Sequence, residues 1–143
     1  MEKAVSAKQR LGTLGESAAC EYLLSLGYTI VERNFRAYGA RGGCIGEIDI
    51  VARDGTYTVF TEVKARSVSP SSRFGRAADA VNYRKQLSFV NAVKVYQRTH
   101  PETLKCRIDV IEVYFPRQTD TARAEIRHIK SAFGDITKRQ DYF

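Results

Sequence analysis

Two runs rich in β-branched and aromatic residues flank Asp54-Gly55, and this pattern constrains the fold more than any other feature of the chain. The runs are IGEIDIVA, residues 45–52, and TYTVFTEVKA, residues 56–65. An Asp-Gly pair between two such runs is a strong signal for antiparallel strands joined by a two-residue turn. We therefore predict a β-hairpin with Asp54 and Gly55 at its tip.

The predicted register gathers charged side chains on one face of this hairpin. With Asp54 and Gly55 in the turn, Asp49 pairs with Phe60 and Glu47 pairs with Glu62. Alternate residues of a strand share a face, so one face carries a charged set: Glu47, Asp49, Glu62 and Lys64. The opposite face carries residues that could pack on a helix: Ile48, Ile50, Thr61 and Val63.

Such a cluster of acids is unfavourable unless something offsets its charge. Two carboxylates at ~4 Å repel by roughly 4 kcal/mol at an effective dielectric of 20, and a divalent cation reverses the sign of that interaction. We predict a Mg²⁺ (or Mn²⁺) site with oxygen ligands from Asp49, Glu62 and the Val63 carbonyl, and Lys64 as the residue that orients the attacking water. The alternative is an ordinary solvated charged face, but Val51 and Phe60 share the predicted face and disfavour it.

The rest of the chain alternates between helical and strand patterns. Apolar residues at helical spacing predict a helix over Lys8–Leu26, ended by Gly27, and a second helix is predicted from Ala77 to His100, closed by Pro101. Strands are predicted at residues 28–35, 106–115 and 124–130, a basic glycine-rich loop at 36–44, a mobile loop at 66–75, and a weakly determined tail from about 134.

These elements predict the fold class. Their order is α-β-β-β-α-β-β, in which a three-strand meander precedes a helix, and this favours an α/β fold with a mixed central sheet flanked by helices. A length of 143 residues predicts a single domain over 1–143. We expect Arg107 to hold Asp109 on one strand face, and structural roles for His100 and His128.

Charge and cysteine content narrow the partners and the compartment. A formal net charge of +7 favours a polyanionic partner such as nucleic acid, although solvated surface charge is the alternative. No window approaches the ~18 apolar residues of a membrane span, so we expect no membrane association. The three cysteines are odd in number and widely spaced, which favours reduced thiols in the cytoplasm.

Several short motifs together carry a resemblance to a known family. The string Asp49…Glu62-Val63-Lys64 resembles the D…E-x-K signature of the PD-(D/E)XK, or restriction-endonuclease-like, nuclease superfamily, with Ile48 where that superfamily has Pro. The surrounding motifs resemble the YraN-like family of uncharacterised bacterial proteins over about residues 8–133. They are Lys8–Gly12, Gly15-Glu16, Gly27-Tyr28, Glu32–Arg36, Gly46–Asp49, Glu62–Arg66, Phe74-Gly75, Lys85-Gln86 and Asp109-Val110.

The resemblance implies a fold, an activity and further site residues. It implies a restriction-endonuclease-like fold and Mg²⁺-dependent hydrolysis of DNA by Asp49, Glu62 and Lys64. Glu16 would complete the metal site from the first helix, and Gln86 would lie near the cluster. Archaeal Holliday-junction resolvases are among the nucleases concerned, so branched or structured DNA and a two-fold homodimer are implied. The alternatives are an exposed helix glutamate for Glu16 and a strand-end hydrogen bond for Gln86.

Basic residues near the open end of the hairpin form a candidate phosphate-binding rim. They are Arg36, Arg41, Arg66, Arg73, Arg76 and Lys85; scattered surface cations are the alternative. The sequence thus predicts a metal-dependent nuclease acting on DNA rather than RNA. Its alternative is a non-catalytic nucleic-acid-binding module of the same fold, working in a repair or processing complex.

Overall fold

The computed structural model describes residues 4–67, 83–103, 105–116 and 124–133. Within these ranges it contains two helices and five strands: α1 (Ala7–Ser25), β1 (Thr29–Tyr38), β2 (Cys44–Asp54), β3 (Tyr57–Ser67), α2 (Tyr83–Thr99), β4 (Cys106–Phe115) and β5 (Glu125–Ile129). The order α-β-β-β-α-β-β and the mixed sheet confirm the predicted fold class. No helix in the described ranges is long and apolar enough to cross a membrane.

The five strands form one open sheet in sequence order, β1-β2-β3-β4-β5. The pairs β1–β2, β2–β3 and β4–β5 are antiparallel, whereas β3 and β4 run parallel. A parallel pair needs a crossover connection, and α2 lies within the segment that joins β3 to β4. The mixed sheet therefore follows from one helix inserted into an otherwise antiparallel meander.

Local signals at both ends of α1 explain its boundaries. The Ser6 hydroxyl accepts a hydrogen bond from the Gln9 backbone N–H, and the Gln9 side chain accepts one from the Ser6 backbone, which forms a capping box. At the other end Gly27 has a φ of +88°, a conformation that costs glycine little. The helix therefore ends where the sequence predicts, next to Gly27.

The sheet buries a separate apolar cluster on each face. The α2-side core joins Ile48, Val51 and Phe60 to Phe89 and other α2 residues. The α1-side core joins Ala19 and Leu23 of α1 to its own set of strand residues: Ile50, Ala52, Val59, Ile111, Val113 and Phe115. Strand β4 is buried at nearly all of its positions, so both of its faces are covered, and polar side chains among its residues need partners.

The hairpin register differs from the predicted one by two residues. The observed pairs run from Asp54↔Tyr57 to Ile50↔Thr61, so the turn residues are Gly55 and Thr56 instead of Asp54 and Gly55. Both are two-residue turns that contain Gly55, whose φ is +59°, and this is why the pattern could not choose between them. The predicted pairs of Asp49 with Phe60 and of Glu47 with Glu62 are therefore wrong.

The predicted sharing of one hairpin face by Ile48 and Ile50 is also wrong. Ile48 lies in the α2-side core and Ile50 in the α1-side core, so strict alternation is interrupted between them, at Asp49. Val51 and Phe60 do share a face, as predicted, in the α2-side core.

Two predicted loops are shorter than the sequence suggested. Strand β3 continues to Ser67, and β1 continues to Tyr38. The remainder of the predicted mobile loop, the predicted start of the second helix at residues 77–82, and the predicted tail from about 134 lie outside the described residues.

A buried polar network around Asp109 ties α1, β4 and β5 together. Arg107 Nε donates to Asp109 Oδ1 at 3.0 Å, as the sequence predicts, and Arg107 also reaches Asp54 at 3.1 Å. His128 Nε2 lies 2.7 Å from Asp109 Oδ2, and the Ser131 backbone N–H donates to Oδ1 at 3.1 Å. Burial alone would raise the pKa of Asp109, but these hydrogen bonds outweigh it and lower that pKa.

Candidate active site

Strands β2 and β3 separate just beyond Ile50↔Thr61, the last pair of their ladder away from the turn. Both strands continue past this pair, β2 back to Cys44 and β3 on to Ser67. We term the opening between Asp49 and Val63 the β2–β3 fork. The Asp49 carboxylate occupies the fork, where its Oδ2 accepts a hydrogen bond from the Val63 backbone N–H at 2.8 Å. A backbone donor that the sheet no longer uses thus fixes the carboxylate.

The environment of Asp49 disfavours its charge. Burial raises the pKa of Asp49 to about 7, the Val63 hydrogen bond opposes that shift, and the nearby carboxylates of Glu16, Glu62 and Glu47 add to it. No Lys or Arg side chain pairs with Asp49 in the described part of the chain, so its negative charge lacks a compensating cation. A group kept in this state is a common mark of a functional site.

Glu62 is the second carboxylate of the fork. It lies two residues after Phe60 on β3 and is partly buried, on the same strand face as Phe60 by alternation. Its Oε2 is buried without a hydrogen-bond partner among the described residues. Burial raises the pKa of Glu62, and the positive charges of Lys64 and Lys85 oppose the shift. One oxygen of this carboxylate is therefore available to a ligand.

Lys64 shares the strand face of Glu62. It is partly buried, and burial lowers its pKa while the negative charges of Glu62 and Glu112 raise it. Glu16 comes to the same region from α1, and its charge acts on Asp49. Asp49 therefore has Glu16 and Glu62 as charged neighbours, and Lys64 is a charged neighbour of Glu62.

An unusual backbone position in β1 holds Glu16. Asn34 has a φ of +55° and falls between Arg33↔Ile50 and Phe35↔Ile48, level with Asp49 on the neighbouring strand. With its nitrogen turned toward the helix, the Asn34 amide donates to the two Glu16 oxygens at 3.2 and 3.3 Å. Arg33 adds an ion-pair contact to Glu16 at 3.8 Å. Glu16 is thus a partnered helix glutamate that borders the fork.

Two glycines let the helices approach the fork closely. A side chain at Gly15 of α1 would collide with Ala65 of β3, and one at Gly46 of β2 would collide with the Ser88 backbone of α2. Each contact lies beside the separated parts of β2 and β3. The glycines therefore place α1 and α2 on either side of the acids.

The predicted basic rim is only partly assembled around the fork. Arg36 is exposed and its Nε contacts Glu47 at 2.6 Å, whereas Arg41 is exposed in the turn between β1 and β2 and Lys85 is exposed on α2. Arg66 lies in β3 and has a buried Nε without a partner among the described residues. Arg73 and Arg76 lie outside the described residues.

Gln86 is the predicted site residue on α2. It is partly buried, and within the described ranges it makes no hydrogen bond to Asp49 or Glu62. Its predicted place near the cluster stays a prediction.

The donor atoms of the fork suit a hard divalent cation. Asp49 keeps one oxygen beyond the Val63 bond, and Glu62 keeps its buried, unpartnered Oε2; carboxylate oxygens are the ligands that Mg²⁺ prefers. Searched among the described residues, no group of three His, Cys, Asp or Glu side chains is arranged to hold a metal ion. Of the predicted ligands, Asp49 and Glu62 are such side chains and Val63 contributes a carbonyl, whereas Glu16, which the resemblance adds from α1, does not form a group of three with these acids in the described residues.

Two residues of this region escaped sequence reasoning. Asn34 was read only as part of a motif, although an Asn inside a strand pattern is unusual and tolerates positive φ. Glu112 was not considered, yet it is fully buried on β4 in the rung next to Lys64. The single acid in the otherwise apolar run Val110–Phe115 is the signal that points to it.

Comparisons with known proteins match this chain to one protein family. A sequence profile described as uncharacterised protein family UPF0102 matches residues 15–113. A UPF0102 protein of Desulforamulus reducens is 41% identical over 128 residues, which covers 87% of this chain and 96% of the relative. Similar UPF0102 proteins occur in Clostridium kluyveri, at 40% identity over 86% of this chain and 93% of the relative, and in Hahella chejuensis, at 41% over 71% and 75%.

Proposed function

The chain belongs to the uncharacterised protein family UPF0102, and we propose that it is a Mg²⁺-dependent nuclease that hydrolyses phosphodiester bonds of branched or otherwise structured DNA. One observation carries the proposal: Asp49 and Glu62 lie at the β2–β3 fork, where burial opposes their charge, and no cation of the described chain pairs with Asp49. Burial of these two charges without a paired cation does not stabilise the fold, whereas a cation site requires carboxylates placed in this way.

The residues of the fork have distinct roles in the proposed reaction. Asp49 is anchored through Oδ2 by the Val63 N–H, so its other oxygen and Glu62 Oε2 would hold the ion. A bound Mg²⁺ supplies charge stabilisation to the phosphate and acidifies a water. Lys64, on the strand face of Glu62, would orient that water and stabilise the negative charge that develops on the phosphate. Glu16 would assist from α1.

The position of the D…E-x-K string in the fold supports membership of the PD-(D/E)XK superfamily. Asp49 lies at the end of the part of β2 that is not paired with β3. The residues Glu62-Val63-Lys64 of β3 lie across the fork from it. The same three-residue string supplies two side chains and the backbone donor that anchors Asp49. Unrelated acids on a hairpin would not be expected to share this backbone contact.

The basic charge of the chain supports nucleic acid as the substrate. A net charge of +7 and the exposed Arg36, Arg41 and Lys85 suit a phosphate backbone. We propose DNA over RNA, with branched forms and a two-fold homodimer as further parts of the proposal. We also propose a cytoplasmic location, because the free Cys20, Cys44 and Cys106 suit a reducing compartment.

A non-catalytic nucleic-acid-binding module is the second candidate. The observation that favours it is that no ready-made group of three metal-binding side chains exists among the described residues, while the net positive charge serves a binder equally well. The acids argue against it, because carboxylates next to the phosphate path weaken binding unless a cation covers them.

The test is a cleavage screen with Mg²⁺ or Mn²⁺ on linear, nicked, flapped and four-way DNA. Wild type is expected to cut at least one substrate, and Asp49→Asn is expected to cut none. Glu47→Gln is the matched control, since it removes one negative charge from an exposed neighbour that pairs with Arg36 and should leave cleavage largely intact. Tight, salt-sensitive binding without cleavage of any substrate would make the binding module the correct account.

A further inference from the structure

Glu112 is a fully buried carboxylate on the strand next to the fork. Its side chain is 0% exposed, and it lies in the parallel rung Lys64↔Glu112 between β3 and β4. Ile108, four residues earlier on β4, belongs to the α2-side core, so alternation places Glu112 on the α2 face of the sheet, the face of Glu62 and Lys64. A buried charge on this face needs partners.

The partners of Glu112 occupy only one of its two oxygens. The Tyr114 hydroxyl donates to Oε2 at 2.9 Å, and Arg127 Nη1 of β5 lies 3.9 Å from the same oxygen. The other oxygen, Oε1, is buried and has no hydrogen-bond partner among the described residues. Glu112 is therefore held through Oε2, while Oε1 remains an acceptor without a hydrogen bond from the described residues.

Lys64 lies on β3 near two acids, Glu62 on its own strand and Glu112 on β4. It lies two residues from Glu62 on β3 and directly opposite Glu112 on β4, and the charges of both acids act on it. If the Lys64 ammonium paired closely with Glu62, it would compete with a metal ion for the oxygen that Glu62 leaves unpartnered. Glu112 offers the ammonium a second anion on the far side from the fork.

We propose that Glu112 is a positioning residue that holds the Lys64 ammonium away from Glu62, with Tyr114 and Arg127 fixing Glu112 in turn. This inference rests on the proposed nuclease function for its purpose, but the placement of Lys64 opposite Glu112 in one rung of the β3–β4 ladder is a property of the folded chain. The pair leaves Glu62 open to the ion and keeps a positive charge beside the phosphate.

A double-mutant cycle tests the pair without metal or DNA. Wild type, Glu112→Gln, Lys64→Met and their combination are unfolded with urea, and the coupling is taken from the four unfolding equilibrium constants. We expect the two changes to be non-additive by about tenfold in that constant, the size seen for contacting charged residues. Glu125→Gln replaces Glu112→Gln in a control cycle, because Glu125 is an exposed acid of β5 in the rung of Tyr114, and that cycle should be additive.

Catalytic measurements then separate positioning from support of the fold. In wild type, Glu112→Gln should lower kcat about tenfold, leave KM for DNA unchanged and weaken Mg²⁺ binding, because Lys64 turns toward Glu62. In the Lys64→Met background the same change should alter neither kcat nor Mg²⁺ binding. Should Glu112→Gln fold poorly, Tyr114→Phe, which removes only one hydrogen bond to Oε2, should produce the same pattern more weakly.

The outcomes distinguish this inference from the proposed function. Additive unfolding constants would overturn the Lys64–Glu112 pair even if wild type cleaves DNA. A coupled pair in a protein that cleaves no substrate would overturn the proposed function and the catalytic purpose of the pair with it. Equal losses from Glu112→Gln with and without Lys64 would show that Glu112 acts through the fold alone.

Discussion

Asp109 and Asp49 are two aspartates of the same sheet whose pKa values are shifted in opposite directions. Asp109 on β4 receives hydrogen bonds from Arg107, His128 and Ser131, and its pKa is lowered in spite of burial. Asp49 on β2 receives one, from the Val63 N–H, and its pKa is raised to about 7. The residue type is the same, and Asp109 is the more deeply buried of the two by exposed surface, so burial alone does not explain the opposite shifts and the difference lies in what surrounds each carboxylate.

This difference separates an acid that supports the fold from the acid that we propose as a metal ligand. The partners of Asp109 come from β4, β5 and the turn after β5, so its charge helps to hold those elements together. Asp49 has other carboxylates as its charged neighbours, so its charge is unfavourable in the fork, and the cation of the proposed site would offset it. We therefore expect removal of charge at the two positions to have opposite effects, and the predictions below can break or sharpen that contrast.

The largest expected effect is the loss of cleavage in Asp49→Asn. The variant keeps the size of the side chain but removes the charge that would hold the ion, so cleavage should fall roughly 10³-fold or more. Initial rates on the preferred DNA substrate measure the loss. A variant that retains a tenth or more of wild-type activity would remove Asp49 from the metal site.

Next in size is the destabilisation expected for Asp109→Asn. Removing the charge leaves the partly buried Arg107 with Asp54 as its remaining anion, and breaking a buried charged pair costs roughly 3–5 kcal/mol of unfolding free energy. Urea unfolding without metal measures it, with Asp49→Asn in parallel, which should be more stable than wild type. If both variants lose stability to the same degree, the two aspartates play the same structural role and the contrast fails.

The pH dependence of stability should also differ between the two sites. The unfolded chain ionises Asp49 near its ordinary pKa of 3.8, while the folded chain keeps the proton up to about pH 7. The folded state therefore binds more protons in this window, and wild type should lose about 1.4 kcal/mol of stability per pH unit between pH 5 and 7 relative to Asp49→Asn.

Asp109 should show the reverse dependence at lower pH. Its pKa is lowered from 3.8, so the stability it provides is fully present above that value and is lost as the pH falls through the folded pKa. The stability gap between wild type and Asp109→Asn should thus stay constant from pH 5 to 8 and shrink only below about pH 4. Urea unfolding at a series of pH values measures both gaps, and parallel curves for the two variants would contradict the comparison.

The smallest expected effect concerns the arginines, which divide as the aspartates do. Arg107 is partly buried and bonded to Asp109, Asp54 and Tyr28, whereas Arg41 is exposed in the turn between β1 and β2. Arg41→Gln should change the unfolding free energy by less than about 0.5 kcal/mol and reduce the salt slope of DNA binding by about one. Binding titrations at several salt concentrations measure the slope, and an unchanged slope would remove Arg41 from the interface.

Local patterns in the sequence predicted most of the fold. Helix α1 and its end at Gly27, strand β4 and the contact of Arg107 with Asp109 all depend on residues close in sequence. Such features follow from periodicity, capping and turn chemistry, which a single chain displays directly.

The fork is the part that local patterns could not predict. Alternation within each strand placed the acids together, but the register was wrong by two residues, because two adjacent turns fit the same Gly55. At the fork Asp49 binds the Val63 N–H, and Asn34 with its positive φ lies level with Asp49 on β1. Partners such as Glu112 come from a strand far along the chain, so nothing in the hairpin sequence pointed to them.

The most direct test of the account is calorimetric titration of Mn²⁺ into the protein without DNA. The account predicts saturable binding to wild type at neutral pH, loss of that binding in Asp49→Asn and in Glu62→Gln, and unchanged binding in the control Glu47→Gln. Saturation that is equal in all four proteins, or no binding to wild type, would contradict the claim that the carboxylates of Asp49 and Glu62 at the fork hold a cation.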